Sequence, residues 1–154
     1  MKKIIFAGLL AMVLQACNTI GVFEKTDAFG GHAWPSSSRP SFVFDIQDTS
    51  AYYNLYAVLR HTDAYHYNNI WLSITSIAPG DTAITMQQSF KLGDNKLGWL
   101  GTTMDDVIEH RMLITGKPVK LKKGSYTFIL QQIMREDPLL NVLNAGIRVE
   151  KVIQ

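Results

Sequence analysis

The chain has 154 residues, of which 47% are hydrophobic and 18% are charged. This composition is typical of one globular domain and excludes a disordered chain or a coiled coil. Lys2 and Lys3 precede an apolar run, and removing them from the 15 basic residues leaves 13 against 13 acidic residues. A neutral domain has no net field that attracts nucleic acid or anionic lipid, so nucleic-acid binding is not expected.

The N-terminus has the layout of an export signal. After the two lysines, residues 4–14 form an apolar run of 11 residues, whereas a membrane-spanning helix needs roughly 20. Leu14-Gln15-Ala16-Cys17 follows, with a large aliphatic residue at −3 and a small residue at −1. This resembles the lipobox of bacterial lipoproteins, whose cysteine is acylated with fatty acids such as palmitate. We therefore predict a cleaved signal helix at residues 1–16 and lipid attachment at Cys17.

Cys17 is the only cysteine, so an internal disulfide is excluded even in an oxidising compartment. Two or three acyl chains on this residue would anchor the protein without a spanning helix. Asn18 stands where an Asp would indicate inner-membrane retention, which favours the outer membrane. The following segment lacks an acidic run, which favours the periplasmic face. Residues 17–33 are predicted to be the lipidated N-terminus and a flexible tether.

From residue 34 onward the dominant period is two, as expected of half-buried strands. Turn residues separate the strands, as at Pro79-Gly80-Asp81, where Pro fixes φ and Gly accepts a positive φ. Asp137-Pro138 predicts a short helical turn through Leu143, with Asp as N-cap and Pro at N1. In chain order the pattern predicts about eight strands, at residues 41–46, 53–60, 69–77, 83–91, 107–114, 118–121, 125–134 and 146–152.

This pattern indicates an all-β fold. Eight short strands without βαβ alternation favour an antiparallel β-sandwich, with the jelly roll as one candidate topology. Residues 34–154 are predicted to form this single β-sandwich domain, preceded by the signal and the tether.

The histidines give little support for a metal site. His61 and His66, with Asp63 between them, are five residues apart, and a strand would place them on opposite faces. Only a loop could bring them together, while His32 and His110 are distant in sequence. We expect loop hydrogen bonding or exposure, and no metal-binding residues.

Carboxylates and motifs give no better support for catalysis. Asp105, Asp106 and Glu109 could form an acid pair or a calcium site, but Asp106 and Glu109 fall on opposite faces of a strand. A solvated loop is the simpler interpretation. No G-x-S-x-G, P-loop, G-x-G-x-x-G or H-E-x-x-H motif occurs. We therefore expect no catalytic residues, no cofactor and no enzymatic activity.

Aromatic residues could fill the sandwich core, stack on sugars or form a protein interface. The set includes Trp34, Trp71 and Trp99, and most of its members are expected in the core. The segment around residues 65–69 is the exception, because it is rich in polar-tipped groups and is expected on a loop, where recognition residues cluster. The candidate partner-binding loop comprises Tyr65, Tyr67, Asn68 and Asn69.

Three segments resemble the GldH family, lipoproteins of the gliding-motility apparatus of Bacteroidetes. The most specific is V58-LRHTDAYHYNNIWL-72, followed by G98-WLG-101 with D106-VIE-109, and by G124-SYTF-128, Q132-IMR-135 and G146-IRVEK-151. Together they span residues 34–151. The segment Leu139–Ala145 departs from the family pattern because it lacks a glycine before the last strand, which leaves the conformation of that turn open.

The resemblance implies a non-enzymatic envelope lipoprotein that serves gliding and the associated type IX secretion machinery. It implies no cofactor and no ligand, and it transfers only the lipidated cysteine, onto Cys17. The expected partners are the membrane, through the lipid, and other gliding or secretion lipoproteins and envelope proteins. The alternative function is a lipid-anchored glycan-binding jelly roll, which an exposed Trp71 or Trp99 beside a concave sheet face would favour.

Overall fold

The computed structural model describes residues 19–153, which form two antiparallel sheets packed face to face. The six-stranded sheet has the order β1-β14-β4-β10-β9, with β11 also pairing with β4. Its strands are β1 (Thr19–Ala28), β4 (Tyr52–Thr62), β9 (Thr102–Met104), β10 (Val107–Leu113), β11 (Val119–Lys120) and β14 (Val142–Val152).

The second sheet has four strands in the order β3-β12-β5-β6. They are β3 (Ser41–Ile46), β5 (Asn69–Ile77), β6 (Ile84–Lys91) and β12 (Gly124–Gln132). Short pairs complete the fold: β2 (Ala33–Trp34) with β13 (Leu139–Leu140), and β7 (Gly93–Asp94) with β8 (Gly98–Trp99). The predicted antiparallel β-sandwich is thereby confirmed.

The core lies between the two sheets and follows the alternation of the strands. In β3, Phe42, Phe44 and Ile46 are buried while the residues between them are exposed. The Phe44 ring lies 5.4 Å from that of Phe23 on β1 and 5.6 Å from that of Tyr126 on β12. Aromatic packing therefore joins the two sheets directly, as in β-sandwiches generally.

The structure corrects the predicted tether. Residues 19–28 form β1, which pairs with β14 from Thr19↔Val152 to Ala28↔Asn144, with one register shift between Gly21 and Phe23. The pattern was missed because β1 is an edge strand. Of its side chains described from Gly21 onward, none is fully buried, so the sequence lacks the apolar alternation of a core strand. The β-sandwich domain thus includes residues from Thr19 on.

The predicted helical turn after Pro138 was also wrong. Leu139–Leu140 pairs with Ala33–Trp34, and β14 begins at Val142. Asp137 does not cap a helix, because its carboxylate accepts hydrogen bonds from the Ser36 amide and hydroxyl at 2.7 and 2.5 Å. The turn that lacks a glycine is made by Asn141, which adopts a φ of 65°; Asn is one of the few residues that tolerate this region.

The outer faces of the two sheets differ in charge. On the six-stranded sheet, Arg60 pairs with Glu109 at 2.7 Å, Arg148 pairs with Glu150 at 2.5 Å, and Glu24 contacts both arginines. The outer face of the four-stranded sheet instead presents mainly neutral polar side chains, together with the exposed Val43 and Trp71. Among them are Ser73, Thr75, Thr85, Gln87, Ser89 and Thr127.

Candidate partner-binding site

The connection from β4 to β5, residues 63–68, crosses from one sheet to the other at one end of the sandwich. Its backbone is held at both sides. The Asn141 side-chain amide donates to the Ala64 carbonyl at 2.9 Å, and the Thr62 amide donates to the Asn141 carbonyl at 3.0 Å. The Leu92 and Gly93 amides both donate to the Asn68 carbonyl, at 2.7 and 2.9 Å. These hydrogen bonds fix the backbone of the loop against the rest of the domain.

A buried aromatic cluster lies beneath the loop. His61 is fully buried, His110 is 4% exposed and Tyr65 is 5% exposed. The Trp99 ring lies 4.5 Å from the His61 ring, and its indole N–H donates to Asp63 at 2.7 Å. The Tyr65 hydroxyl donates to the Asn69 carbonyl at 3.1 Å. Tyr65 thus stabilises the loop from the core side, and because its ring is buried it is not available to contact a partner.

The two histidines of this cluster face each other, with 3.0 Å between their Nε2 atoms. His61 Nδ1 lies 2.7 Å from the Thr62 carbonyl, which can only accept, so Nδ1 carries the proton. Neutral His61 then accepts at Nε2, and His110 donates from its Nε2. Burial lowers the pKa of both imidazoles, that of His110 to about 4, and keeps the pair neutral at neutral pH.

Glu136 fixes the outer part of the loop. Its carboxylate lies 3.3 Å from His66 Nδ1 and also accepts a hydrogen bond from the Tyr67 hydroxyl. That bond raises the pKa of Tyr67. Burial raises the pKa of Glu136, but the hydrogen bonds from Tyr67 and His66 outweigh it, and the net shift is downward. Glu136 thus connects His66 and the half-buried Tyr67 of the loop to the segment before β13.

Trp71 is the exposed aromatic residue beside this loop, at 45% exposure. It lies on the outer face of β5, one residue past the buried Ile70. It borders an open cleft of about 470 Å³ lined by Tyr67, Asn69, Trp71, Gln87, Ile133, Met134 and Arg135, which we call the Trp71 cleft. The Ile133 amide donates to the Trp71 carbonyl at 3.0 Å, which closes one side of the cleft.

The structure brings two of the four predicted loop residues into this cleft. Tyr67 and Asn69 line it, and the Asn69 amide also donates to Ser89 at 3.3 Å. The Asn68 side chain is exposed and lines a separate, smaller depression of about 170 Å³ beside Trp99. Tyr65 is buried, as described above. Cys17, the predicted lipid site, lies outside the described residues.

The other titratable candidates do not converge. Glu109 pairs with Arg60 and Arg111 on the outer face of the sheet, while Asp105 and Asp106 lie exposed in the turn between β9 and β10. Within residues 19–153, no group of three or more His, Cys, Asp or Glu side chains is placed to hold a metal ion. No helix in that same stretch is long and apolar enough to cross a membrane.

Sequence reasoning missed the partners that complete the site. Glu136 and Met134–Arg135 are about 70 residues from the loop along the chain, and Gln87 lies on the neighbouring strand. His110 was treated as distant from His61, although both occupy inward positions of the neighbouring strands β4 and β10. The pairing of these strands would have revealed the contact, because Ile108 stands opposite His61 and His110 lies two residues further along the same face of β10.

The fold and the cleft define a small two-sheet β-sandwich with an aromatic surface at one end. A family profile described as GldH lipoprotein matches residues 21–149. The chain belongs to the GldH lipoprotein family, and the resemblance noted in the sequence is confirmed. This makes it a membrane-anchored lipoprotein of the cell envelope, in a family associated with gliding motility that is not a known enzyme family.

Two curated relatives match nearly the whole chain. The gliding motility lipoprotein GldH of Flavobacterium johnsoniae is 28% identical over 152 residues, which cover 93% of this chain and 92% of that protein. A gliding motility lipoprotein GldH homolog of Christiangramia forsetii is 23% identical over 155 residues, covering 96% and 94%. Both relatives carry the gliding motility name that the sequence resemblance implied.

A solved structure also overlaps in part. The VP2 subviral particle of infectious bursal disease virus shows 12% identity and a TM-score of 0.35, over 88% of this chain and 32% of that one. This chain spans about a third of that protein. A TM-score of 0.35 supports no statement about function.

Proposed function

We propose that this protein is a non-enzymatic assembly or stability component of the gliding motility and type IX secretion machinery, which binds another envelope protein through the Trp71 cleft. The observation that carries the proposal is the 45% exposure of Trp71 in a cleft whose walls are fixed by the core. Aromatic and Arg side chains are enriched where protein partners bind. The cleft offers Trp71, Tyr67 and Arg135 together.

Anchorage would come from lipid on Cys17, with the domain on the periplasmic face of the outer membrane. The lipobox Leu14-Gln15-Ala16-Cys17, the residue Asn18 and membership of a lipoprotein family support this placement. An anchored domain meets membrane-bound partners at a high effective concentration. A modest cleft can therefore sustain a stable assembly.

The test replaces Tyr67 and Trp71 together by Ala in the native gene and measures in-cell crosslinking and copurification with other envelope lipoproteins. Truncating a central aromatic anchor costs about 2 kcal/mol or more, so roughly a 30-fold loss of affinity is expected. The matched control is Val43→Ala with Ile84→Ala, which removes two exposed apolar side chains outside the cleft. Undiminished copurification of the Tyr67/Trp71 variant, with normal folding, would count against the cleft.

The alternative candidate is glycan binding at the same cleft. An exposed indole beside the Asn69 and Gln87 amides and the Arg135 guanidinium is the arrangement that stacks on and hydrogen-bonds to a sugar. Calorimetric titration of the purified protein with envelope glycan fragments distinguishes glycan binding from the assembly role. Binding that Trp71→Ala abolishes would favour the glycan, whereas loss of protein crosslinks without glycan binding favours the assembly role.

A further inference from the structure

The end of the sandwich at which β1 begins gathers lysines from several elements. Thr19, Val152, Tyr52 and Lys120 are paired across β1, β14, β4 and β11 in one row. Three strand spacings of about 4.8 Å separate the first from the last, roughly 14 Å in all. Lys120 thus lies on the same end as the first residue of the domain.

Other lysines join Lys120 there. Lys117 lies in the connection that leads into β11, Lys122 and Lys123 lie between β11 and β12, and Lys151 is paired next to the row, opposite Tyr53. Five of the eight lysines between residues 19 and 153 are therefore at this end. We call it the anchor-side end.

Only part of this positive charge is neutralised. Lys122 pairs with Asp81 at 2.8 Å and Lys151 with Asp48 at 2.5 Å. In the described part of the chain, Lys117, Lys120 and Lys123 form no ion pair, and all three are exposed. Lys120 Nζ lies 5.3 Å from the centre of the Tyr52 ring. The exposed Asp45 is the remaining acid nearby, so positive charge prevails.

The opposite end, which holds the Trp71 cleft, has the reverse balance. It carries the acids at the ends of β1 and β7, in the β4–β5 and β9–β10 connections and before β13, against Arg39, Lys91, Lys96 and Arg135. These acids are Asp27, Asp63, Asp94, Asp105, Asp106, Glu136 and Asp137. The domain has no net charge, but its charge is unevenly distributed along the strands, with a basic end and an acidic end.

Covalent geometry ties the basic end to the proposed anchor. Cys17 precedes Thr19 by two residues, and two trans peptide steps place their Cα atoms within about 7.6 Å of each other. An acylated Cys17 therefore holds the anchor-side end next to the lipid headgroups. Tyr52 and Ile153, the latter 44% exposed, add apolar surface at the same end, and Tyr favours the membrane interface.

We propose that the anchor-side end is a docking surface for anionic phospholipid headgroups, contacted by Lys117, Lys120 and Lys123. This inference rests on the proposed acylation of Cys17. Docking gives the domain one orientation, because the basic end faces the membrane and the acidic end faces away. The Trp71 cleft is then directed toward partners beyond the membrane surface.

The test uses the acylated protein reconstituted into vesicles of phosphatidylethanolamine with either phosphatidylglycerol or phosphatidylcholine. Because Cys17 is the only cysteine, a fluorophore can be placed singly at Thr49→Cys, on the anchor-side end, or at Ser37→Cys, on the opposite end. Quenching by a headgroup-attached nitroxide reports proximity to the membrane. We expect the excess of quenching at position 49 over position 37 to be larger with phosphatidylglycerol than with phosphatidylcholine, and to fall to the phosphatidylcholine level at about 1 M salt, where the Debye length is about 3 Å.

Charge variants identify the side chains. Lys117→Gln, Lys120→Gln and Lys123→Gln together should lower the ratio of docked to undocked protein roughly 100-fold, the size expected for three lysines at an anionic surface. The matched control, Lys25→Gln, Lys91→Gln and Lys96→Gln, removes the same charge elsewhere and should leave quenching unchanged.

The outcomes separate the two proposals. Equal quenching in both vesicle types, or an unaffected triple variant, overturns headgroup docking while leaving the anchor intact. An N-terminal peptide without acyl mass, from protein that does not bind vesicles, overturns the anchor itself and with it the docking.

Discussion

At the scale of single residues, the buried histidine pair is the most informative contact. His61 and His110 share one proton between their Nε2 atoms at 3.0 Å, and Trp99 and Tyr65 enclose His61. A second proton on His61 would go to Nε2 and face the N–H of His110. A second proton on His110 would place a charge beside His61 in a site that is 4% exposed. Both are costly in a low-dielectric interior.

The free energy of unfolding should therefore fall when the pH drops below about 6.5. Both imidazoles have a lowered pKa in the folded state, about 4 for His110, so the unfolded chain binds more protons between pH 6.5 and 4. This contribution to stability is present above pH 6.5, and about 3 kcal/mol of it is lost from His110 alone on descending to pH 4. Urea unfolding followed by Trp fluorescence across this range measures the slope. His110→Asn should flatten it, and an unchanged slope in that variant would refute the role of the pair.

At the scale of elements, β1 depends on an unusually close approach to β14. Gly146 stands opposite Thr26, and a Cβ built there would lie 2.1 Å from the Lys25 carbonyl oxygen and 2.6 Å from the Thr26 methyl. The absence of a side chain at this position allows the edge strand to pair. Phe23 then reaches the Phe44 ring across the core.

Gly146→Ala should separate β1 from β14 locally. The overlap with backbone cannot be relieved by a side-chain rotation, so a loss of about 1–3 kcal/mol in the free energy of unfolding is expected. Hydrogen exchange of the amides of residues 21–28 should quicken in parallel. Gly30→Ala is the control, since a Cβ at Gly30 meets nothing within 4 Å; equal effects of the two substitutions would contradict this account.

The elements also show what the sequence could and could not predict. Period-two alternation located the core strands, because Phe42, Phe44 and Ile46 must share the buried face. The alternation did not reveal β1, because the pairing of that strand depends on backbone hydrogen bonds and on Gly146, more than 100 residues away. Trp71 alternates with the buried Ile70 along β5 and therefore lies on the outer face, 45% exposed. In the site, the chain order predicted Tyr67 and Asn69, whereas Glu136 and Arg135 arrive through tertiary contacts.

At the scale of the whole molecule, one hydrophobic core spans both sheets. Phe44 lies at its centre, 4% exposed, with Phe23, Tyr126 and Phe128 as ring neighbours within 5.8 Å. Because these rings come from β1, β3 and β12, neither sheet can lose its partner without exposing the other. The domain should unfold in one cooperative transition.

Phe44→Ala tests this unity of the core. We expect a loss of about 3–5 kcal/mol in the free energy of unfolding, with coincident transitions by circular dichroism and Trp fluorescence. Val43→Ala, one residue away but 56% exposed on the outer face, should change the same quantity by about 0.5 kcal/mol or less. Two separate transitions, or a Phe44 variant as stable as the Val43 variant, would disprove a shared core.

The pairing of β1 from its first residue, Thr19, determines how far the domain can extend from the membrane. If Cys17 carries the lipid proposed above, only Asn18 separates the anchor from the first paired residue of β1, and the height of the domain above the bilayer is then limited by that short connection. β4 runs the length of the sandwich with 11 residues, which at about 3.3 Å per residue sets the far rim at roughly 35 Å. A membrane protein that engages this rim must therefore extend a comparable distance, and chain inserted after Asn18 would change which neighbours come within range.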